Sequence, residues 1–147
     1  MDIISNSPLQ TELAGKELAS TLKKGDVVAL FGGLGMGKTQ FIRGLAIGLN
    51  IKDAVSSPTF ALVHEYRGEI PLYHFDMYRV STWDDLYSTC FFDYLESGGI
   101  CAVEWSENIE EALPKNAILV SIERMEDENS RTIKIRKALQ SNEDTCC

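Results

Sequence analysis

The sequence predicts a single α/β domain with a mixed, mainly parallel central sheet flanked by helices. Three observations predict it. Short apolar runs rich in β-branched residues, such as Val27-Val28-Ala29-Leu30-Phe31 and Ile100-Cys101-Ala102-Val103, read as buried strands. Helical spacing of apolar residues recurs between such runs, as at Phe41, Ile42, Leu45, Ala46 and Leu49. One strand is joined to one helix by Gly32-Gly33-Leu34-Gly35-Met36-Gly37-Lys38-Thr39, which fits G-x-x-x-x-G-K-[ST], the P-loop pattern, at every fixed position. The fold expected is therefore P-loop NTPase-like.

Each residue type in that loop has a physical reason. Glycines remove the Cβ atoms that would keep successive backbone N–H groups away from phosphate oxygens. The helix that follows adds unpaired N–H groups and the positive end of its dipole. Lys38 is placed to reach the β- and γ-phosphates, and Thr39 to offer a hydroxyl to Mg²⁺.

At 147 residues the chain is one domain, long enough for a core but with little room for other machinery. Its 14 basic and 22 acidic side chains give 14 − 22 = −8, which repels a phosphate backbone everywhere except at the loop. Tight nucleic-acid binding by this chain alone is not expected. The N-terminus lacks a basic region followed by an apolar core, and no apolar run approaches a membrane span. A soluble, cytoplasmic protein is expected. Cys90, Cys101, Cys146 and Cys147 form no C-x-x-C and no zinc-ligand spacing with the two histidines, so they read as free or buried thiols.

Along the chain, Ser7-Pro8-Leu9-Gln10 reads as a helix start, with Thr11 as a second possible cap. Leu9, Leu13, Ala14, Leu18 and Leu22 then repeat on one face, up to a stop at Lys24-Gly25. Strands are expected over 60–66 and 72–76, paired as a hairpin across Arg67-Gly68-Glu69. One or two short helices follow over 83–95, and Gly98-Gly99 breaks the chain before the strand that ends at Glu104. A short acidic helix over 109–113 stops at Pro114. Strands over 118–122 and 132–135 look like an edge hairpin, the domain closes at 136, and residues 137–147 read as a polar, frayed tail.

A P-loop needs a further acid for the metal or its water, commonly at a strand end, and there are two candidates, Glu104 and Asp76. Trp105 reads either as a neighbour of the nucleotide or a partner, or as core. His74 shares a strand face with Asp76, although a lone strand histidine is commonly a hydrogen-bonded filler. Arg79 could pair with Asp76 or with phosphate, and Ser56-Ser57-Pro58-Thr59 reads as a γ-phosphate-sensing switch or a plain turn. No Asp has Gly three residues later and no Asn-Lys pair occurs, so guanine-reading motifs are absent and an adenine nucleotide is preferred.

Four segments in order, Leu34-Gly35-Met36-Gly37-Lys38-Thr39, Ser57-Pro58-Thr59-Phe60, His74-Phe75-Asp76-Met77-Tyr78-Arg79 and Val103-Glu104-Trp105, resemble the TsaE (YjeE) family over roughly residues 7 to 135. The resemblance implies a small P-loop fold and the ATPase component of threonylcarbamoyladenosine (t6A) synthesis at adenosine 37 of tRNA. It implies TsaD and TsaB as partners, with tRNA reached only through them, and ATP and Mg²⁺ as cofactors. By resemblance, Gly33, Leu34, Gly35, Met36, Gly37 and Lys38 bind the phosphates, Thr39 and Glu104 ligate the metal, and Asp76 serves hydrolysis. Thr11 and Glu12 match the helix start near the nucleotide base, and Trp105 matches an aromatic that follows the acid. Gly33 stands where the family commonly has Asp, Gln40 where a hydroxyl residue is usual, and Ser106 where Pro is common. The segment Tyr87-Ser88-Thr89-Cys90 also lacks the family's usual glycine-containing pattern. Two rival readings of the loop are a stand-alone kinase for a small metabolite and a non-hydrolysing ATP-sensing module.

Overall fold

The computed structural model describes residues 1–32, 37–52, 55 and 63–137. Its elements in chain order are β1 (Asp2–Ser5), α1 (Pro8–Ala19), β2 (Val27–Phe31), α2 (Lys38–Gly48), β3 (Val63–Tyr66), β4 (Leu72–Asp76), α3 (Trp83–Ser88), α4 (Phe91–Leu95), β5 (Ile100–Glu104), a 3₁₀ segment (Ser106–Ala112), β6 (Ile118–Arg124) and β7 (Arg131–Lys137). Seven strands form one sheet in the order β1-β7-β6-β2-β5-β4-β3. The central strands β6, β2, β5 and β4 are parallel, while β3 and β7 run against their neighbours. The mixed, mainly parallel sheet expected from the sequence is the one observed.

Period-two alternation sorts the strand residues into two cores. Val28, Leu30, Leu72, Ile100 and Ala102 face Phe41, Ile42 and Leu45 of α2. Val27, Tyr73, Phe75, Cys101 and Val103 face the other layer, with Phe91 and Ile109. The same alternation places His74, Asp76 and Glu104 on the α2 face. Burial pushes the Cys101 thiol up to about 12, so it is an inert apolar filler rather than a nucleophile.

Helix α1 starts as the sequence predicts, with the Ser7 hydroxyl accepting from Gln10 N–H at 3.2 Å and the Gln10 side chain reaching back to Asn6 N–H. Three expectations are corrected. Thr11 is not a cap but lies inside α1, its hydroxyl 2.7 Å from that of Ser5. Regular helix ends at Ala19, before Lys24-Gly25, because the Ser20 and Thr21 hydroxyls bond the carbonyls of Glu17 and Leu18 in a last tightened turn. The buried face of α1 is also small rather than leucine-rich: Thr11, Ala14, Gly15 and Ala19 are inside, while Leu9 and Leu13 are 62% and 51% exposed. Close approach to α2 is the reason. A Cβ on Gly15 would collide with the Phe41 carbonyl oxygen, and one on Gly44 with the Glu12 carbonyl oxygen.

The β6–β7 hairpin is not at the edge. Strand β1, absent from the sequence expectation, pairs antiparallel with β7, Ile3 opposite Ile133. Four residues are too few to show an alternation, and their pairing partner lies some 130 positions away in the chain. Of the strand expected over 60–66, Val63–Tyr66 is observed, and residues 60–62 lie outside the described residues. The polar tail after β7 lies outside them as well.

The glycine contact between α1 and α2 leaves no space for a methyl group against backbone. Gly44→Ala is expected to destabilise the fold by about 1–3 kcal/mol, the usual cost of overpacking. Gly25→Ala meets no neighbouring atom and bears only the strain of its positive φ. Urea denaturation of the two variants checks the order.

Candidate functional site

Helix α2 begins at Lys38, and its N-cap, Gly37, has φ 98°, a left-handed conformation that favours glycine. Gly37 has no side chain to cap the first N–H groups, so that helix end is left to bind an anion. Lys38 is only 5% exposed. Its ammonium donates to the Gly32 carbonyl at 2.8 Å, tying the two ends of the loop, and lies 4.1 Å from the centre of the Trp105 ring. Burial lowers its pKa, and the charges of Glu104, Glu107 and Asp76 act against that shift.

The acids come from the sheet. Strands β4 and β5 pair in parallel with Asp76 opposite Glu104, so the two carboxylates sit side by side at adjacent strand ends. Burial raises the pKa of Asp76; the N–H of Tyr78, which donates to its Oδ1 at 2.9 Å, opposes this, and the Glu104 charge adds to it. Glu104 is 5% exposed, and His74, fully buried, holds its Oε2 at 2.5 Å through Nε2.

The backbone then turns sharply. Trp105 adopts φ 59°, unusual for a residue with a side chain, and the Ser106 hydroxyl bonds the Val103 carbonyl at 2.8 Å beneath it. This turn sets the indole over Lys38 and against Tyr78, ring centres 4.9 Å apart. Trp105 thus stands beside Lys38 and is also half-buried against the core layer of Phe75 and Val103.

Sequence reasoning had brought Lys38, Thr39, Asp76, Glu104 and Trp105 to this place. Thr39 opens α2 beside Lys38, and Glu12 packs its backbone on Gly44 one layer behind. Gly33, Leu34, Gly35, Met36 and the Ser56-Ser57-Pro58-Thr59 segment lie outside the described residues. Arg79 is exposed and makes no ion pair with Asp76 among the described residues. The sequence reading missed Glu107, whose Oε2 accepts from Gly32 N–H at 3.2 Å, and Asn108, whose amide donates to the Met77 and Tyr78 carbonyls. Their signal was position alone: both follow within four residues of the strand-end acid. It also missed a shallow cavity beside Gly37, lined by Ser7, Thr11 and Gln40 and, from the β6–β7 loop and β7, by Glu128, Asn129 and Arg131.

A model of the family described as threonylcarbamoyl adenosine biosynthesis protein TsaE matches residues 5–133. The chain belongs to the TsaE family. Curated TsaE relatives are similar over most of their length. The protein of Treponema pallidum is 36% identical over 129 residues, which cover 88% of this chain and 96% of that one. That of Aquifex aeolicus is 40% identical over 139 residues, 91% of this chain and 94% of that one. That of Bacillus subtilis is 42% identical over 123 residues, 83% and 77%. Each is named as a tRNA threonylcarbamoyladenosine biosynthesis protein. The crystal structure of Bacillus subtilis YdiB superposes with a TM-score of 0.79 at 35% identity, covering 99% of this chain and 90% of that one. Membership in the TsaE family agrees with the resemblance carried by the four sequence segments. No helix among the described residues is long and apolar enough to cross a membrane.

The raised pKa of Asp76 fixes the sign of a stability test. A group protonated more readily in the folded than in the unfolded chain, with its ordinary value at 3.8, stabilises fully below that value and loses the contribution as pH rises through the folded pKa. At neutral pH the half-buried carboxylate therefore costs stability. Asp76→Asn, which keeps an oxygen for Tyr78 N–H, is expected to raise the melting temperature by roughly 1–3 °C at pH 7. The gain shrinks as pH falls toward 3.8, and melting curves across that range check it.

Proposed function

We propose that this chain is the Mg²⁺-dependent ATPase subunit of tRNA t6A synthesis at adenosine 37, acting with TsaD and TsaB. The observation that carries the reading is a buried P-loop lysine facing two strand-end carboxylates, in a chain of the TsaE family. The kinase and sensor alternatives gain no comparable support.

In this reading the N–H groups at the start of α2 and the ammonium of Lys38 hold the β- and γ-phosphates. The cavity beside Thr11 and Gly37 suits the adenosine end of the nucleotide. Thr39 and Glu104 would hold Mg²⁺, which supplies neutralisation of phosphate charge when bound. Their oxygen donors fit that ion. Among the described residues no three acidic, imidazole or thiol groups converge into a closed metal cage, and Mg²⁺ commonly takes only one or two carboxylates beside phosphate oxygens and water.

Asp76 orients the attacking water with the carboxylate that burial makes more basic. Water adds to the γ-phosphorus as the bond to the β,γ-bridging oxygen breaks, giving ADP and inorganic phosphate. Loss of the γ-phosphate is relayed through the turn after Asp76, where Met77 N–H bonds the Glu104 carbonyl at 3.1 Å and Asn108 grips the next two carbonyls. The formal charge of −8 suits a subunit that leaves tRNA to its partners.

ATP turnover by the purified chain is expected to rise on addition of TsaB and TsaD. Lys38→Ala and Glu104→Ala should each lower the stimulated rate by about 10²–10³-fold, the usual loss for a transition-state contact of this kind. The same variants should fail to support t6A formation. Normal t6A formation by either variant would refute the assignment, and a Mg²⁺-dependent binder with no turnover under any condition would leave only the sensor reading.

A further inference from the structure

Glu104 can hold a metal ion only if its carboxylate is turned correctly, and in the fold one of its oxygens is already engaged. His74 Nε2 lies 2.5 Å from Glu104 Oε2, both groups are buried, and the imidazole comes from the neighbouring strand in a position that parallel register fixes. His74 stands opposite Ala102 and Asp76 opposite Glu104, so the imidazole approaches the acid from one pleat behind it. The ring is packed edge-on to His64 of β3 and tilted against Tyr66, with ring centres 6.4 and 6.3 Å distant.

The other nitrogen of the ring is the telling atom. His74 Nδ1 is buried and has no hydrogen-bond partner among the described residues. A structural histidine in a core normally satisfies both nitrogens, because a buried polar atom left alone costs free energy. Among the described residues only the bond to Glu104 is made here. A carboxylate oxygen accepts in such a pair, which puts the donor of the bond on Nε2.

We infer that His74 is a positioning residue: its Nε2–H holds Glu104 Oε2 and thereby orients the carboxylate for the Mg²⁺-bearing side of the site. This rests on the assignment of Glu104 to the metal. It explains why an imidazole is kept in an apolar layer beside Leu72 and Ala102, where a leucine would pack without an orphaned nitrogen. Groups that fix the orientation of metal-binding side chains are commonly worth 10–100-fold in affinity or activity.

The test compares His74→Leu, which removes the donor, with His74→Gln, which returns an N–H donor, each in the wild-type and the Glu104→Gln backgrounds. The readout is the tightening of fluorescent ADP binding by Mg²⁺, that is, the ratio of Kd without and with the ion. His74→Leu is expected to reduce this ratio by about 10-fold or more, with Mg²⁺-free affinity unchanged, and His74→Gln to recover most of it. In the Glu104→Gln background His74→Leu should add nothing. An equal loss in both backgrounds, or an unchanged ratio in folded His74→Leu, would overturn the inference. If Glu104→Gln itself leaves the ratio untouched, the metal assignment falls and takes the inference with it. Nitrogen NMR of the wild-type protein requires no variant: a proton on His74 Nε2 is expected, and an unprotonated Nε2 would overturn the inference.

Discussion

A primary ammonium held almost out of water must be compensated where it stands, and the site is built around that requirement at Lys38. Its partners come from three directions. The Gly32 carbonyl belongs to the loop, Glu104 and Asp76 close two parallel strands, and Glu107 and Trp105 lie in and before the 3₁₀ segment. Glu104 is itself buried and Asp76 half-buried, whereas Glu107 stays exposed. An anion of higher charge entering the loop would rearrange this balance. Hydrogen bonds tie Gly32 to Glu107, and Met77 and Tyr78 to Asn108, and so join the lysine's surroundings to the exposed side chains of the 3₁₀ segment.

The frame for the charges is set by two forms of close packing. Parallel register between β4 and β5 decides that Asp76, rather than Phe75 or Met77, lies opposite Glu104, and a slip of one strand by one residue would turn its acid into the wrong layer. On that face α2 is held down by α1 through backbone contact at Gly15 and Gly44. These glycines carry no chemistry and bear on it only through position. They let the helix that presents Lys38 and Thr39 lie close against its neighbour.

The strand and helix that flank the glycine-rich segment, both strand-end acids and the paired short helices were legible from local signals. Glycine spacing, capping residues and apolar periodicity act within a few residues, and each survives in one dimension. The parts that were misread are non-local. Leu9 and Leu13 have helical spacing suited to a core, but the crossing of α1 over α2 selects the small face and leaves them in water. Strand β1 is a strand because β7 offers it an edge, and nothing in Asp2-Ile3-Ile4-Ser5 alone requires that.

Chemistry divides the same way. Residue type and spacing in the chain determined the P-loop pattern, the lysine that closes it and which acids end apolar strands, because those properties belong to the residues and their immediate backbone. Only the tertiary structure decided that Glu107 bonds the loop, that Trp105 covers the lysine, and that His74 grips Glu104. Those contacts join residues up to 75 positions apart, and their geometry exists only once sheet register and helix packing have placed both ends.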